Sequence, residues 1–338
     1  MSTNRSVIEK ELRPLFRDFA PTASWETLRL RAALLRKLRT FFDQRGFLEI
    51  ETPLMSHDTV IDRHLDPLPI KLPGDPRRPH DGARMWLQTS PEFAMKRLLV
   101  AGGEKIYQVT KAFRAGEHGT LHNPEFSMVE WYRVGDGLQQ GMDLLAELAG
   151  DLLDAPRTDR LSYKEAFQRF VGLDPHTATD SRLARAAESA GLTPSWSPSH
   201  RDDWLDLLLA GCVEPHLGYD CPLILFDYPA SQAALACVRD GDPPVAERFE
   251  LYARGIELAN GYRELVDADV LRARSRVANS QRLADGKYCL PEDNRLLRAM
   301  QQGLPPCAGV ALGFDRLVMI AAGASCLRDV VAFPIDIA

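Results

Sequence analysis

The chain has 338 residues, enough to bury one large core or two ordinary ones. Its 47 acidic and 41 basic residues leave a net charge of −6, which argues against gripping a nucleic-acid backbone by charge alone. Six scattered cysteines make no C-x-x-C pair, no apolar leader opens the chain, and its most apolar late stretch is broken by Asp315 and Arg316, so a soluble cytoplasmic protein with reduced thiols is expected.

Residues 1–24 read as a lead-in that ends at a Pro-Thr-Ala-Ser break. The next segment spaces Leu34, Leu35, Leu38, Phe41 and Phe42 along one helical face and closes at Gly46. FLEIETP alternates as a strand that stops at Pro53, and residues 56–83, with five prolines, read as loops or short strands. Ser90-Pro91 predicts an N-cap followed by proline at the first helical position, opening the helix EFAMKRLLVAGG. Strands are expected at KIYQVT through Phe113-Arg114 and, after the polar loop RAGEHGTLHNP, in HNPEFSMVEWYR. Residues 138–212 read as mostly helical, an insertion rather than a separate domain. Strands return at PLILFDY, ERFELYARGIELANG and GVALGF. Hairpin-connected strands imply an antiparallel sheet, and the fold class expected is α+β, with helices flanking that sheet.

Three stretches could carry chemistry. In HNPEFSMVEWYR the two-residue period puts Phe126, Met128, Glu130 and Tyr132 on one face and Glu125, Ser127, Val129 and Trp131 on the other. A glutamate beside a tyrosine hydroxyl on an otherwise apolar face needs a cation or donor as partner. Glu250, Glu257 and Glu264 sit seven apart in a stretch whose alternation favours strands; they read either as solvated surface glutamates or as a carboxylate cluster for Mg²⁺ or an ammonium group. GVALGFDR puts Gly309, Ala311 and Gly313 on one nearly flat strand face, fit for a planar ring or for close packing of a neighbouring helix. His118 and His122 belong to a loop, so a helical metal pair is not indicated, and Arg114 reads equally as an exposed or a phosphate-binding arginine.

Taken in order, these pieces resemble the three motifs of class II aminoacyl-tRNA synthetases from residue 28 onward. The helix plus GFLEIETP resembles motif 1, FR–loop–HNPEF–VEWY resembles motif 2, and GVALGFDR resembles motif 3 with Arg316. SPEFAMKRLLVAGG, HNPEF and GIELANGYREL look like the lysine-specific branch. About twenty-five residues precede motif 1, where lysyl-tRNA synthetases carry an OB-fold anticodon-binding domain, an arrangement similar to the elongation factor P lysyltransferases. The resemblance implies a catalytic domain over 25–338, no anticodon-binding domain, and a homodimer through motif 1.

The resemblance also implies roles. Ser90, Pro91, Glu92, Glu130, Tyr132, Asn260, Tyr262, Glu264 and Ala311 would surround the amino acid, with Tyr132 and Glu264 nearest its ε-ammonium and Glu92 facing its other amine. Arg114 would clamp the carboxylate and the α-phosphate, and Arg316 would neutralise the far phosphates. Glu250 and Glu257 would hold Mg²⁺ on the phosphates of ATP; Phe126 and the motif 3 glycines would receive adenine; His122, Asn123, Leu258 and Gly313 complete the ATP set. Two departures stand out. The branch usually reads F-R-N-E after the motif 2 strand, whereas here the order is Phe113-Arg114-Ala115-Gly116-Glu117, which leaves Glu117 as the adenine-side glutamate. Ala311 stands where lysyl-tRNA synthetases typically have glycine and the elongation factor P branch has alanine, which fits a preference for β-lysine over α-lysine.

The function implied is ATP-dependent activation of (R)-β-lysine and its transfer to a lysine side chain of elongation factor P, without stable tRNA binding or a membrane. Its rivals are a class II-like asparagine synthetase, a lysine-activating enzyme that charges tRNA, and a regulatory paralogue. The acidic pair Glu130 and Glu264 speaks against an aspartate pocket. The presence of Arg114, Arg316, Glu250 and Glu257 speaks against loss of activity.

Overall fold

A computed structural model describes residues 19–194, 198 and 200–338, so most of the expected lead-in, residues 1–18, lies outside the described residues. In chain order the strands are β1 (Leu48–Glu49), β2 (Met55–Ser56), β3 (Pro69–Leu72), β4 (Ala83–Leu87), β5 (Lys105–Phe113), β6 (Glu125–Val134), β7 (Asp159–Ser162), β8 (Leu223–Pro229), β9 (Val238–Arg239), β10 (Val245–Ala253), β11 (Ile256–Arg263) and β12 (Cys307–Gly313). Nine of them share one sheet, with β1, β5, β6, β12, β11, β10, β8 and β7 side by side and β9 added to β10. Only β1–β5 and β7–β8 run parallel; the interior of the sheet is antiparallel, as its hairpins require. The α+β class is therefore the one expected.

Period-two alternation sorts this sheet into a core face and a site face. Val129 and Trp131 of β6, Val310 and Leu312 of β12, and Phe249 and Leu251 of β10 meet the helices Trp25–Gln44, Leu138–Leu153 and Phe314–Ala321 in the main core. Phe42, from the first of these helices, stacks on Tyr107 at 4.4 Å between ring centroids and lies 5.3 Å from Trp131. Aromatic packing of this kind adds about 0.5–1.5 kcal/mol per pair to the burial itself. The β10–β11 hairpin turns through Arg254 and Gly255, both at positive φ (52° and 75°), the conformation of the two-residue turn that matches strand twist.

Several elements differ from the sequence reading. FLEIETP forms only two residues of strand, because β1 has a single neighbour, β5, at the edge of the sheet. The helix expected from Pro91 begins one residue later, at Glu92; Pro91 takes the cap position and the Ser90 hydroxyl accepts the Glu92 amide at 3.0 Å. Within 138–212, the short polar stretch Asp159–Ser162 is a strand, and the helix Leu138–Leu153 belongs to the main core. The helices Tyr163–Phe170, Asp180–Ser189 and Arg201–Leu208 build a second cluster against β8 and β10. The helix Ala268–Ala284 escapes an apolar count altogether: its buried face is Ala268, Leu271, Ser275, Asn279 and Arg282. Arg282 is fully buried, bonding the carbonyls of Asp62, Leu65 and Tyr288 and pairing with Asp66 at 2.8 Å. No helix among the described residues is long and apolar enough to cross a membrane.

Candidate active site

Opposite the core face, the sheet floors a cavity of about 810 Å³. Strand register explains why residues far apart in sequence meet there. Glu130 of β6 lies across from Ala311 of β12, Ala311 across from Asn260 of β11, and Asn260 across from Glu250 of β10. The next row on the same face runs Tyr132, Gly309, Tyr262 and Arg248. Of the site residues expected from sequence, Pro91 alone does not line the cavity; it is buried in the turn before the helix Glu92–Val100.

At one end stands a closed network of buried charge. Tyr132 donates its hydroxyl to Glu130 at 2.6 Å, and Ser90 donates to the other Glu130 oxygen at 2.8 Å. Glu130 is 1% exposed, and burial, with Glu92 nearby, pushes its carboxyl up to about 8 despite those two donors. Lys96, also 1% exposed, is ion-paired to Glu92 and to Glu264, each at 2.5 Å. Burial and Glu92 push the Glu264 carboxyl up to about 7, with Lys96 pulling the other way. Asn260 donates to the Tyr262 hydroxyl at 3.0 Å, while its own buried carbonyl oxygen has no hydrogen-bond partner within the protein.

Gly309 and Gly313 serve different ends. A side chain at Gly309 would come within 2.3 Å of both Glu264 and Tyr132, so glycine there makes room for the protein's own groups rather than for a bound ring. Above Gly313 nothing stands closer than 3.7 Å, and that position keeps the open surface expected of the motif.

The other end is cationic and looser. Arg114 sits 3.7 Å from Glu117, its guanidinium lies over the Phe126 ring at 4.9 Å, and its buried Nε has no hydrogen-bond partner. Arg316 donates to the carbonyls of Leu121 (3.2 Å) and Glu257 (3.0 Å), contacts Nε2 of His122 at 2.7 Å, and lies 3.6 Å from the Glu257 carboxylate. Burial and Arg316 hold His122 below its usual range, which keeps the ring neutral and able to accept that bond. Asn123 is fixed on both sides, donating to the Glu125 carbonyl at 2.6 Å and accepting from the Ile335 amide at 3.0 Å. Behind Arg316, Arg31 from the first helix pairs with Asp315 at 2.6 Å.

Glu250 is engaged on both oxygens, by Tyr228 (2.5 Å) and Tyr252 (2.6 Å) on one and by Arg248 (2.5 Å) on the other. Tyr252 also reaches Glu214 at 3.1 Å, whose carboxyl burial and Glu250 push up to about 7. Among the described residues no three His, Cys, Asp or Glu side chains converge as a metal cage. One or two carboxylates suffice for a Mg²⁺ that travels with phosphates, and Glu250 with the half-exposed Glu257 supplies that number. Lys96, Arg248, Tyr228, Tyr252 and Glu214 also join the site's network of bonds, though no motif in the sequence marks them. The four-residue step from Glu92 to Lys96 was the available signal, but the same step marks countless solvated helix pairs.

A mostly antiparallel sheet, motif 1 and motif 3 clasped through Arg31 and Asp315, and arginines facing buried carboxylates along one cavity define a class II aminoacyl-tRNA synthetase-type catalytic domain. Residues 8–337 match the model of the family described as tRNA synthetases class II (D, K and N). The chain belongs to that family and, within it, to the group of elongation factor P–(R)-β-lysine ligases. It is 44% identical over 319 residues to the ligase of that name from Proteus mirabilis, covering 94% of this chain and 98% of that protein. The ligases of the same name from Yersinia enterocolitica and Vibrio vulnificus are each 45% identical, over 321 and 322 residues, and are covered to 98% and 99% of their length.

Proposed function

We propose that this protein activates (R)-β-lysine with ATP and passes it to a lysine side chain of elongation factor P. One observation carries the reading: the buried carboxyl groups of Glu92, Glu130 and Glu264 share a cavity with Arg114 and Arg316. Buried carboxylates in such number suit a ligand with ammonium groups, because each would otherwise stay desolvated against its neighbours. An aspartate substrate would add a further negative charge to the same place.

Glu264 and Tyr132 receive the ε-ammonium, Glu92 the other amine, and Glu130, relieved by that charge, ionises; Ser90 and Asn260 complete the lining. Arg114 draws the substrate carboxylate and the α-phosphate of ATP together, which overcomes the repulsion of two anions and aligns attack on phosphorus. Pyrophosphate leaves as the adenylate forms, its charge met by Arg316; Glu257 and Glu250 would hold a Mg²⁺ that would add positive charge to the phosphates. Phe126, His122, Asn123, Glu117, Leu258 and Gly313 hold the nucleotide. In the second step the acceptor amine attacks the adenylate carbonyl; an amide bond forms and AMP departs. Motif 1 supports a homodimer: the outer edge of β1 has no strand beside it among the described residues, and Leu48 on that strand is exposed at 64%. A cytoplasmic setting, where elongation factors work, completes the proposal.

The test is amino-acid-dependent ATP–pyrophosphate exchange with (R)-β-lysine, α-lysine and aspartate. Exchange with (R)-β-lysine, weaker exchange with α-lysine and none with aspartate, all without tRNA, is expected; a strict tRNA requirement contradicts the reading.

A further inference from the structure

We propose that Lys96 is a positioning and specificity residue: it locks Glu92 and Glu264 in place and cancels one of the three negative charges of the pocket, so that the remainder matches a substrate with two ammonium groups. This rests on the diamino-acid reading above and adds to it a residue behind the cavity wall. Lys96 is 1% exposed and does not line the cavity, whereas both of its carboxylate partners do.

Charge and geometry both single out Lys96. A buried ammonium is tolerated only with close partners, and Lys96 has two, each at 2.5 Å. Burial opposes its charge, but Glu264 and Glu92 outweigh burial and hold it protonated. Lys96 reaches Glu92 one helical turn away and Glu264 from the end of β11, so it ties two separate elements to one point. From the other side, Gly309 leaves room that Glu264 and Tyr132 fill, which fixes the Glu264 carboxylate between a cation and a strand backbone. Of the cations on neighbouring elements, Arg248 pairs with Glu250, Arg263 with Glu247, and Arg274 bonds the Ala234 and Ala236 carbonyls. Glu130 and Tyr132 bond each other, and burial pushes Tyr262 and Cys307 up, so both stay neutral. On the packed helix Arg295–Met300, Arg295 pairs with Asp58 and Arg298 with Asp293.

With Lys96 in place, three carboxylates and one ammonium leave two negative charges for two substrate amines once Glu130 ionises. Remove it, and Glu264 loses the neighbour that favours its charged form and stays protonated to higher pH, so the charge is lost at the very carboxylate assigned to the ε-ammonium even though Glu92 and Glu130 keep theirs.

The experiment compares native chain, Lys96→Met and Lys96→Arg in pyrophosphate exchange with (R)-β-lysine at pH 7 and pH 9, with KM for ATP as the internal control. Lys96→Met should raise KM for (R)-β-lysine at least ~30-fold at pH 7. That deficit should shrink at least ~threefold at pH 9 as Glu264 ionises again, with KM for ATP within twofold of native. An unchanged KM, or a rise equal at both pH values and shared by ATP, overturns the proposal, since a merely structural lysine would give the latter. If Lys96→Met does not fold, Lys96→Arg decides: retention of (R)-β-lysine binding within ~tenfold of native at both pH values supports the charge count, and loss beyond that overturns it. Failure of the native chain itself to exchange with either lysine would count against the activity reading instead, a result separable from any difference between variants.

Discussion

At the Lys96 end of the cavity the carboxyl groups of Glu92, Glu130 and Glu264 already have close partners on strands and a helix, whereas at the Arg316 end the cations lean on backbone carbonyls, a neutral histidine and two more distant glutamates. The contrast fits the ligands proposed for each end. A small diamine offers few contacts, so its site gains from being preorganised and dry. A triphosphate brings its own charge and metal, and the contacts of Arg114 and Arg316 are weak enough for phosphates to replace.

Substitutions that sharpen this contrast differ in the size of their effects. Arg114→Ala or Arg316→Ala should slow pyrophosphate exchange by ~10²–10³-fold, the scale of losing one preorganised charge-stabilising donor. Near-native exchange in either variant would mean that the phosphates lie elsewhere. Glu264→Gln keeps the shape of the other end but removes its charge, and should weaken (R)-β-lysine binding by about 2–3 kcal/mol, roughly 30- to 150-fold. An unchanged Kd by calorimetry would remove Glu264 from the ammonium site. Ala311, set between Glu130 and Asn260, is the one methyl group in its row. Ala311→Gly should shift the β- to α-lysine preference by about 1–2 kcal/mol, roughly 5- to 30-fold in the ratio of kcat/KM. An unaltered ratio would detach that methyl from discrimination.

The smallest effect is expected where the loop between β5 and β6 meets Asp336. His118 pairs with Asp336 at 2.8 Å, but both are well exposed, so Asp336→Ala should raise KM for ATP by no more than about fivefold. A larger change would show that the loop depends on that tether.

The two ends also differ in how much of them could be read from sequence. Glu130 and Tyr132 announce themselves because they break the apolar alternation of a strand, and Glu264 because it continues a seven-residue spacing inside a hairpin. Ordinary patterns hide the rest. Lys96 sits four residues after Glu92 as any surface pair would, and only its burial distinguishes it. The helix Ala268–Ala284 buries Ser275, Asn279 and Arg282, so its inward face looks polar, and β7 is four residues of mixed character whose one strand partner among the described residues, β8, begins only at Leu223. Register across β6, β12, β11 and β10 is a property of the assembled sheet, and it alone reveals that Arg248, two residues before Glu250, joins the site floor. The likeness to class II motifs supplied the roles of Arg114 and Arg316, which their local sequence leaves open.

The choice of acceptor defines this protein's role as much as the activation does. Incubation of the chain with ATP, Mg²⁺, (R)-β-lysine and elongation factor P, followed by intact-mass spectrometry of the factor, tests both at once. One lysyl unit should be added to a single lysine of the factor while tRNA present in the same mixture stays uncharged. An unmodified factor beside efficiently charged tRNA would contradict it.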